Sequence, residues 1–400
     1  MPASLGVFQR KRRLPDTDRR AARRHDVSKM GRVHGRLGTC LARPTAPCHL
    51  ALLLVLAGLA LAACGGQDTA PSAAPSSSAH QAANGPQLWA VSTGTSVISA
   101  DGGRSWQLQQ PATPYAISPG GFDFTGAKHA WIEGDTGQLL STSDGGAHWR
   151  LQGPHTSNNY LAIDFPDLRH GWVVGDGGFV GATADGGIHW RIEHAPVPSS
   201  WGTSQPGFPA PMGTYLMSVS FVDARRGWVV GDGGVILATH DAGTVWRRQP
   251  SGASGNLLAV CFIDDRRGWL VGDGGLILAT SDGGNHWLAQ VSGTSFDLDG
   301  LSVIDAEHGW AVGSNSDGTA GMILATNDGG RHWRQQDRGL RDLPWGVTFV
   351  DVRHGWVVGS DFNNNGRLWL TSDGGLHWQR ESLPPSCPDL EGLYIEPSAG

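Results

Sequence analysis

The chain alternates apolar and other residues over short stretches that end at glycine-rich turns. The clearest example runs from Asn256 to Trp287, where Leu258, Val260 and Phe262 alternate as in a half-buried strand. A polar turn at 264–268 precedes a second strand at 269–271, and a turn at 272–275 precedes a third strand at 276–280. Trp287 begins a fourth strand. Four short strands joined by tight turns predict one blade of a β-propeller.

This unit recurs along the chain with the pattern Asp-Gly-Gly-x-x-Trp, the Asp-box. The pattern occurs seven times at separations of 41 to 56 residues, and only the fourth copy departs, with Ala242 in place of the first glycine. The box aspartates are Asp101, Asp144, Asp185, Asp241, Asp282, Asp328 and Asp373. A second tryptophan series falls in the predicted second strands, at Trp89, Trp131, Trp172, Trp228, Trp269, Trp310 and Trp356. These repeats predict an all-β, seven-bladed β-propeller of four-stranded antiparallel blades.

The two ends of the repeat region predict how the ring closes. The first unit begins at Gln87, already in its second strand, and has no first strand before it. The chain ends with residues 389–395, which match first strands such as 298–303. We therefore expect the C-terminal strand to pair with the N-terminal blade, which removes two open sheet edges.

The N-terminal region resembles an export signal. Residues 50–63 are continuously apolar, which is short for a membrane-spanning helix and typical of a signal-peptide core. Leu61 to Cys64 form a lipobox, so we expect Cys64 to be lipidated; a short membrane anchor with an incidental cysteine is the alternative. The predicted segments are a leader at 1–63, with Met30 as an alternative start, Cys64 and a flexible linker at 64–86, and the propeller at 87–400.

The lipobox and the charge balance bear on location and partners. Gly65 rather than Asp follows Cys64, which favours the outer over the inner membrane, with the propeller on the periplasmic side. Residues 1–63 hold 12 basic and 3 acidic residues, which leaves 18 basic and 33 acidic residues, a net charge of −15, on the remainder. An acidic mature chain disfavours nucleic acid as a partner. A nucleic-acid-binding arm is the alternative for the leader arginines, but nothing aromatic or repetitive accompanies them.

The repeat Gly-Trp-Val-Val-Gly-Asp-Gly-Gly, followed by a threonine and the Asp-box, as in residues 169–190 and 225–246, resembles the photosystem II stability/assembly factor family. The resemblance covers about residues 87–396. It implies a seven-bladed propeller with Asp-box (BNR) repeats that is exported and binds a partner protein in assembly, without catalysis or cofactor. We accordingly expect a monomeric propeller that binds an envelope or membrane protein and is held to the membrane by the lipid on Cys64.

The first candidate site lies on the face that carries the Asp-boxes, where the turns between first and second strands also fall. These turns contain Arg169, Arg225, Arg226, Arg266, Arg267 and Arg353, and they predict a partial ring of basic groups. The resemblance implies an arginine-rich patch used for partner contact. The alternative is that these arginines are solvated turn residues paired with adjacent acids such as Asp264 and Asp351.

The second candidate site lies on the opposite face. The crossing between the third and fourth units is about 15 residues longer than its equivalents and contains Trp201 and Phe208, which are candidate partner anchors or covers for a blade edge. The turn Asp361 to Gly366 matches the start of a calcium loop, but Ser372 stands at the twelfth position, so we predict a plain turn and no metal. The box histidines recur once per blade and are not expected to converge on a metal.

An Asp-box glycoside hydrolase, sialidase-like, or a carbohydrate-binding propeller is the alternative function. Such chemistry needs paired carboxylates, or a Tyr–Glu pair with an arginine cluster. None of the glutamates at 133, 193, 307, 381, 391 and 396 lies in a recognisable catalytic segment. The sequence therefore predicts a non-catalytic protein-binding module with no catalytic residue.

Overall fold

The computed structural model describes residues 88–92, 95–99, 107–109, 119–125, 128–134, 137–194, 215–336, 342–363, 365–381, 383 and 390–395. Within these ranges the chain forms β-strands joined by turns and short loops. The leader, the linker, Cys64, Asp101, Trp201 and Phe208 lie outside the described residues, so the predictions that concern them stay predictions.

Six blades, rather than seven, are each formed from one contiguous stretch of chain, and every one is a four-stranded antiparallel sheet in chain order. Blade 1 contains β4 (Pro119–Thr125), β5 (His129–Gly134), β6 (Leu139–Thr142) and β7 (Arg150–Leu151); blade 2 contains β8 (Tyr160–Asp164), β9 (Gly171–Gly175), β10 (Phe179–Thr183) and β11 (Arg191–His194); blade 3 contains β12 (Leu216–Phe221), β13 (Gly227–Gly231), β14 (Val235–Thr239) and β15 (Arg247–Gln249). Blade 4 contains β16 (Leu257–Phe262), β17 (Gly268–Gly272), β18 (Ile277–Thr280) and β19 (Leu288–Gln290); blade 5 contains β20 (Asp297–Val303), β21 (His308–Ser314), β22 (Gly321–Asn327) and β23 (Arg334–Gln335); blade 6 contains β24 (Leu343–Phe349), β25 (Gly355–Ser360), β26 (Gly366–Thr371) and β27 (Gln379–Glu381).

A further four-stranded sheet, the composite sheet, joins the two ends of the repeat region. Its order is β28 (Leu390–Ile395), β1 (Leu88–Ser92), β2 (Thr95–Ser99) and β3 (Gln107–Gln109). Leu88 lies opposite Ile395 and Trp89 opposite Tyr394 in an antiparallel register. The strand β28 also contacts β24 of blade 6 and β4 of blade 1. The predicted pairing of the C-terminal strand with the N-terminal segment is therefore confirmed.

Burial within a blade falls from the inside outwards. The second strand of blade 3, Gly-Trp-Val-Val-Gly, is buried at every position, whereas its fourth strand exposes Arg247 and Arg248. First strands of successive blades contact one another from β4 through β24, so they form the inner wall of the ring. The first strand of blade 4, which its alternation predicted to be half-buried, is instead buried at every position, because the sheets near the centre are covered on both faces.

A stack of aromatic rings joins each blade to the next. The indole of Trp228 in blade 3 lies parallel to the ring of Phe262 in blade 4, with centroids 3.5 Å apart and planes 6° apart. The box residue Trp287 meets the same Phe262 edge-on, at 5.8 Å and 89°. The Trp228 Nε1–H also donates to the carbonyl of Gly283 in the next blade's box at 3.1 Å. Stacking, an edge contact and a hydrogen bond therefore all cross one joint.

The same arrangement recurs at three other joints. The stacked pairs are Trp131–Phe165 at 3.7 Å, Trp172–Phe221 at 3.5 Å and Trp310–Phe349 at 3.5 Å. The joint between blades 4 and 5 is the exception, because Val303 takes the position of the phenylalanine and packs in one cluster with Trp269 and Trp333. The face-to-face stacking at these joints comes from the second-strand tryptophans, whereas the box tryptophans meet the same phenylalanines edge-on.

Hydrogen bonds also connect the first strands of neighbouring blades, which do not pair as one sheet. The backbone N–H of Phe262 donates to Ser220 Oγ at 3.1 Å, and that of Phe349 donates to Ser302 Oγ at 3.1 Å. The carboxylate of Asp164 accepts the N–H of Phe221 at 2.7 Å. Each bond satisfies a buried backbone N–H that has no partner within its own sheet. It also holds the phenylalanine where its ring stacks on the second-strand tryptophan of the preceding blade.

We predict that replacing Phe262 by valine, the residue found at the next joint, lowers the free energy of unfolding by about 2–3 kcal/mol, since both aromatic contacts are lost. Urea unfolding followed by fluorescence measures this change. The matched control is Val291→Ala, where the side chain is 80% exposed and we expect a change within about 0.5 kcal/mol. Equal effects of the two substitutions would contradict the role given to the stack.

Candidate functional site

Each Asp-box that the structure describes is a turn held by hydrogen bonds to and from a threonine two residues before the aspartate. In blade 4, Thr280 Oγ1 donates to Asp282 Oδ1 at 2.9 Å and accepts the backbone N–H of Gly284 at 2.9 Å. Asp282 Oδ1 also accepts the N–H of His286 at 3.0 Å, and the His286 ring Nδ1 lies 2.7 Å from Asp282 Oδ2. The threonine is part of the repeated sequence, but only the structure shows that it organises the turn.

These contacts keep the box carboxylates ionised. In blade 2, the backbone hydrogen bond from His189 lowers the pKa of Asp185 to about 2, with further contributions from the His189 and Thr183 side chains and against the opposing effect of burial. A lowered folded-state pKa means that the box contributes stability above the ordinary pKa of aspartate and loses it as the pH falls through the folded value. The box is thus intact throughout the neutral range.

A backbone hydrogen bond ties every described box to the first turn of its own blade. The N–H of Gly283 donates to the carbonyl of Arg266 at 2.8 Å, and that of Gly186 donates to Arg169 at 2.8 Å. Equivalent bonds reach Lys128, Arg225, Glu307 and Arg353. The boxes and the first turns therefore share one face, the box face, as predicted. The second-to-third turns bond to the blade crossings on the other side, as Asp273 N–H does to Asn256 O at 3.0 Å.

In blades 2 to 6 a turn aspartate organises the first turn, and its contacts divide the candidate arginines into two groups. Asp264 Oδ1 accepts the N–H groups of Arg266 and Arg267 at 2.9 and 2.7 Å, and its other oxygen pairs with the Arg267 guanidinium at 2.6 Å. Arg226 pairs in the same way with Asp223 at 2.6 Å, and it also pairs with Asp265 of the next blade. For Arg226 and Arg267 the predicted alternative, pairing with an adjacent acid, is what the structure shows.

The other members keep their guanidinium groups available to a partner. The side chains of Arg169, Arg225 and Arg266 are exposed, and within the described part of the chain none of them forms an ion pair. Arg353 Nε donates at 3.4 Å to the carbonyl of Ser372. The backbone of each is fixed at both its N–H and its carbonyl, so the residues present a charged side chain from a rigid turn.

Apolar side chains flank one of these arginines. Leu168 precedes Arg169 in the first turn of blade 2 and is 47% exposed, and Ile188 in the box of the same blade is 65% exposed. The box glycine between them, Gly186, has a positive φ of 77°, and a Cβ there would lie 2.9 Å from the carbonyl of Leu168. Because the two turns touch through Gly186, blade 2 offers an apolar and a basic group side by side.

The two glutamates of blades 1 and 2 are buried or ion-paired. Glu193 pairs with Arg191 at 2.6 Å on the outer strand of blade 2. Glu133 is fully buried in blade 1 and lies close enough to Tyr160 for its charge to raise the pKa of that phenol, after the larger effect of burial. Both residues are sealed from solvent, so this Tyr–Glu neighbourhood is not open to a substrate.

The turn after β25 is a closed polar turn. Asp361 Oδ1 accepts the backbone N–H groups of Asn363 and Asn365 at 2.8 and 2.9 Å, and the Arg367 guanidinium pairs with the other oxygen. The arginine takes the place that a cation would occupy at this carboxylate. More widely, the described residues contain no group of three or more His, Cys, Asp or Glu side chains arranged to hold a metal. No helix among the described residues has the length and apolarity needed to cross a membrane.

The fold and these turns define a class of protein, the Asp-box β-propellers. Residues 146–254, 209–289 and 251–335 match the family model described as Photosynthesis system II assembly factor YCF48. Together these matches span residues 146–335, and the repeats in this stretch are of the photosystem II assembly factor-like BNR type. The resemblance seen in the sequence is therefore confirmed.

Two solved structures with TM-scores above 0.5 show the same fold at low sequence identity. YCF48 from Cyanidioschyzon merolae matches with a TM-score of 0.55 and 20% identity, over 72% of this chain and 91% of that one. The U3-55K structure matches with a TM-score of 0.52 and 10% identity, over 68% and 82%. A structure of YCF48 bound to a D1 peptide has a TM-score of 0.41 and 20% identity, over 61% and 92%. No curated protein matches the chain in sequence.

The fourth box carries a testable strain. Ala242 has a φ of 63°, in the left-handed region that disfavours a Cβ, and the equivalent Gly283 has a φ of 72°. We predict that Ala242→Gly raises the free energy of unfolding by about 0.5–1 kcal/mol, after the added freedom of glycine in the unfolded chain is counted. Gly283→Ala, the matched reverse change, should lower it by about 1 kcal/mol. Thermal and urea unfolding measure both, and effects of the same sign would contradict the explanation.

Proposed function

We propose that this protein is a non-catalytic, partner-binding propeller of the cell envelope that acts in the assembly of a membrane protein. The observation that carries the proposal is the set of exposed arginines on the box face, Arg169, Arg225 and Arg266, whose side chains form no ion pair among the described residues. A rigid turn that presents an unpaired guanidinium suits a carboxylate or a carbonyl-rich segment of another protein, because arginine offers several donors in a fixed geometry.

Membership of the assembly-factor family supports a role in binding and not in chemistry. The exposed apolar residues Leu168 and Ile188 beside Arg169 also support a protein partner, since interfaces combine apolar anchors with arginine. Within this proposal the composite sheet serves as the seventh blade of a closed ring. A density map with six sheets around the axis would contradict that count.

The proposed partner site is tested by charge reversal in intact cells. We predict that the Arg225→Glu/Arg266→Glu variant reduces the yield of a crosslinked envelope partner at least tenfold, a loss of about 1.4 kcal/mol in binding. Crosslinking followed by mass spectrometry identifies the partner. The matched control is Arg247→Glu/Arg248→Glu on the exposed outer strand of blade 3, which makes the same change in charge outside the first turns.

Two results would count against this site. Unchanged crosslinking in the box-face variant, together with loss of crosslinking on deletion of residues 196–211, would move the partner to the opposite face. Hydrolysis of a glycoside by the purified propeller, abolished by changing one carboxylate, would contradict the non-catalytic assignment.

We further propose that the protein is held to the membrane by a lipid on Cys64, on the periplasmic side and more readily at the outer membrane. The support is the apolar stretch at 50–63 followed by the lipobox. We predict that the full chain partitions into the detergent phase on Triton X-114 extraction and that Cys64→Ser moves it to the aqueous phase. Aqueous partitioning of the unmodified chain would refute the anchor.

A further inference from the structure

One buried carboxyl group interrupts an otherwise apolar position of the repeat. Glu133 lies in β5, the second strand of blade 1, and is fully buried. The other blades have a buried valine at this position, namely Val174, Val230, Val271, Val312 and Val358. Gly121 pairs with Glu133 across the sheet, and a Cβ there would lie 2.5 Å from Glu133 Oε1, so the missing side chain makes room for the longer one.

The joint between blades 1 and 2 surrounds this carboxyl group. The period of two along β5 places Glu133 on the same side as Trp131, which stacks on Phe165 of blade 2. Its cross-strand partner Leu139 belongs to the same cluster, together with Tyr160. The residues equivalent to Tyr160 in blades 3, 4 and 5 are Leu216, Leu257 and Leu298. This joint therefore carries a carboxyl group and a phenol where the next three joints each carry a valine and a leucine.

Among the residues that the structure describes, neither oxygen of Glu133 has a hydrogen-bond partner. The Tyr160 hydroxyl forms a hydrogen bond with Thr156 Oγ1 at 3.0 Å. Asp176 Oδ1 accepts hydrogen bonds from the backbone N–H of Asn159 at 3.1 Å and from the side-chain amide of Asn158 at 2.9 Å. On β4, Asp123 accepts the backbone N–H groups of Phe124 and Phe165. The titratable groups near this joint are therefore acids or a phenol whose oxygens are engaged elsewhere, and none of them supplies a compensating positive charge.

An ionised carboxylate without a partner is strongly disfavoured in such a site. Burial raises the pKa of Glu133 well above its usual range, so the group is held as the neutral acid while the joint is closed. When the joint opens, water solvates the carboxylate and the proton is released. The closed joint is therefore fully stabilised below the ordinary pKa of glutamate, and this stabilisation is lost as the pH rises towards the folded-state value.

We propose that the joint between blades 1 and 2 is a pH-sensitive opening point of the ring, at which loss of the Glu133 proton separates these two blades before any other joint yields. The aromatic stack at this joint resembles the stacks between blades 2 and 3, 3 and 4, and 5 and 6, so it gives no reason for this joint to be weaker than those at low pH. The difference between this joint and those three is the single acid and the tyrosine that faces it.

Hydrogen exchange with mass spectrometry on the intact propeller tests the proposal at pH 6 and pH 9, after correction for the intrinsic exchange rates. We expect peptides covering β4, β5, β8 and β9 to lose protection at pH 9 at least tenfold more than peptides covering β16, β17, β20 and β21. We expect a difference of this size because the equilibrium constant for opening the joint rises by up to about tenfold per pH unit between the pKa of Glu133 in the open joint and its pKa in the closed joint. Equal pH dependence at all joints would overturn the proposal.

Three variants separate titration from packing. Glu133→Val installs the residue of the other blades and should remove the excess loss at pH 9 while preserving the fold. Glu133→Gln keeps the shape without the titration, so it should give equal protection at both pH values, whatever its absolute stability. Glu193→Gln removes an ion-paired glutamate and should leave the behaviour of the joint unchanged. An excess loss at pH 9 that persists in both Glu133 variants would refute the role of this acid.

Discussion

The structure depends on a tryptophan of one blade lying flat against a phenylalanine of the next. A four-stranded blade cannot bury both of its faces alone, so its stability comes from the neighbouring sheets. At the joint between blades 3 and 4, Trp228 supplies a large apolar surface to Phe262, and its N–H is satisfied by the box carbonyl of the same neighbour. Because indole and carbonyl are fixed together, the angle between successive blades is fixed as well.

The first glycine of the box connects this buried joint with the exposed face. In blade 4, the carbonyl of Gly283 accepts the Trp228 indole and the Gln249 amide, and its N–H donates to the carbonyl of Arg266. One residue thus holds the preceding blade and the turn that displays an arginine. The arrangement therefore anchors the backbone of the turn that displays Arg266 to the core of the ring.

The repeat spacing and the end-matching residues predicted the sheets and the pairing of β28 with β1, because both depend on local pattern and on a match between the chain's two ends. The sequence did not predict which rings stack. Phe262 lies seven residues before Trp269 of its own repeat but packs on Trp228 of the previous one. The sequence also did not show which arginines form ion pairs. Arg266 and Arg267 are adjacent, but only the guanidinium of Arg267 pairs with Asp264. Glu133 looked unremarkable until its burial was seen.

The composite sheet fixes the side of the propeller on which the first described strand, β1, begins. Leu88 begins β1 opposite Ile395, the last residue of β28, just as the second strands of the other blades begin opposite the ends of their first strands. The strand therefore starts at the rim where the boxes lie. In the anchored protein that we propose, a tether joined at Leu88 would therefore enter beside the face that carries Arg169, Arg225 and Arg266.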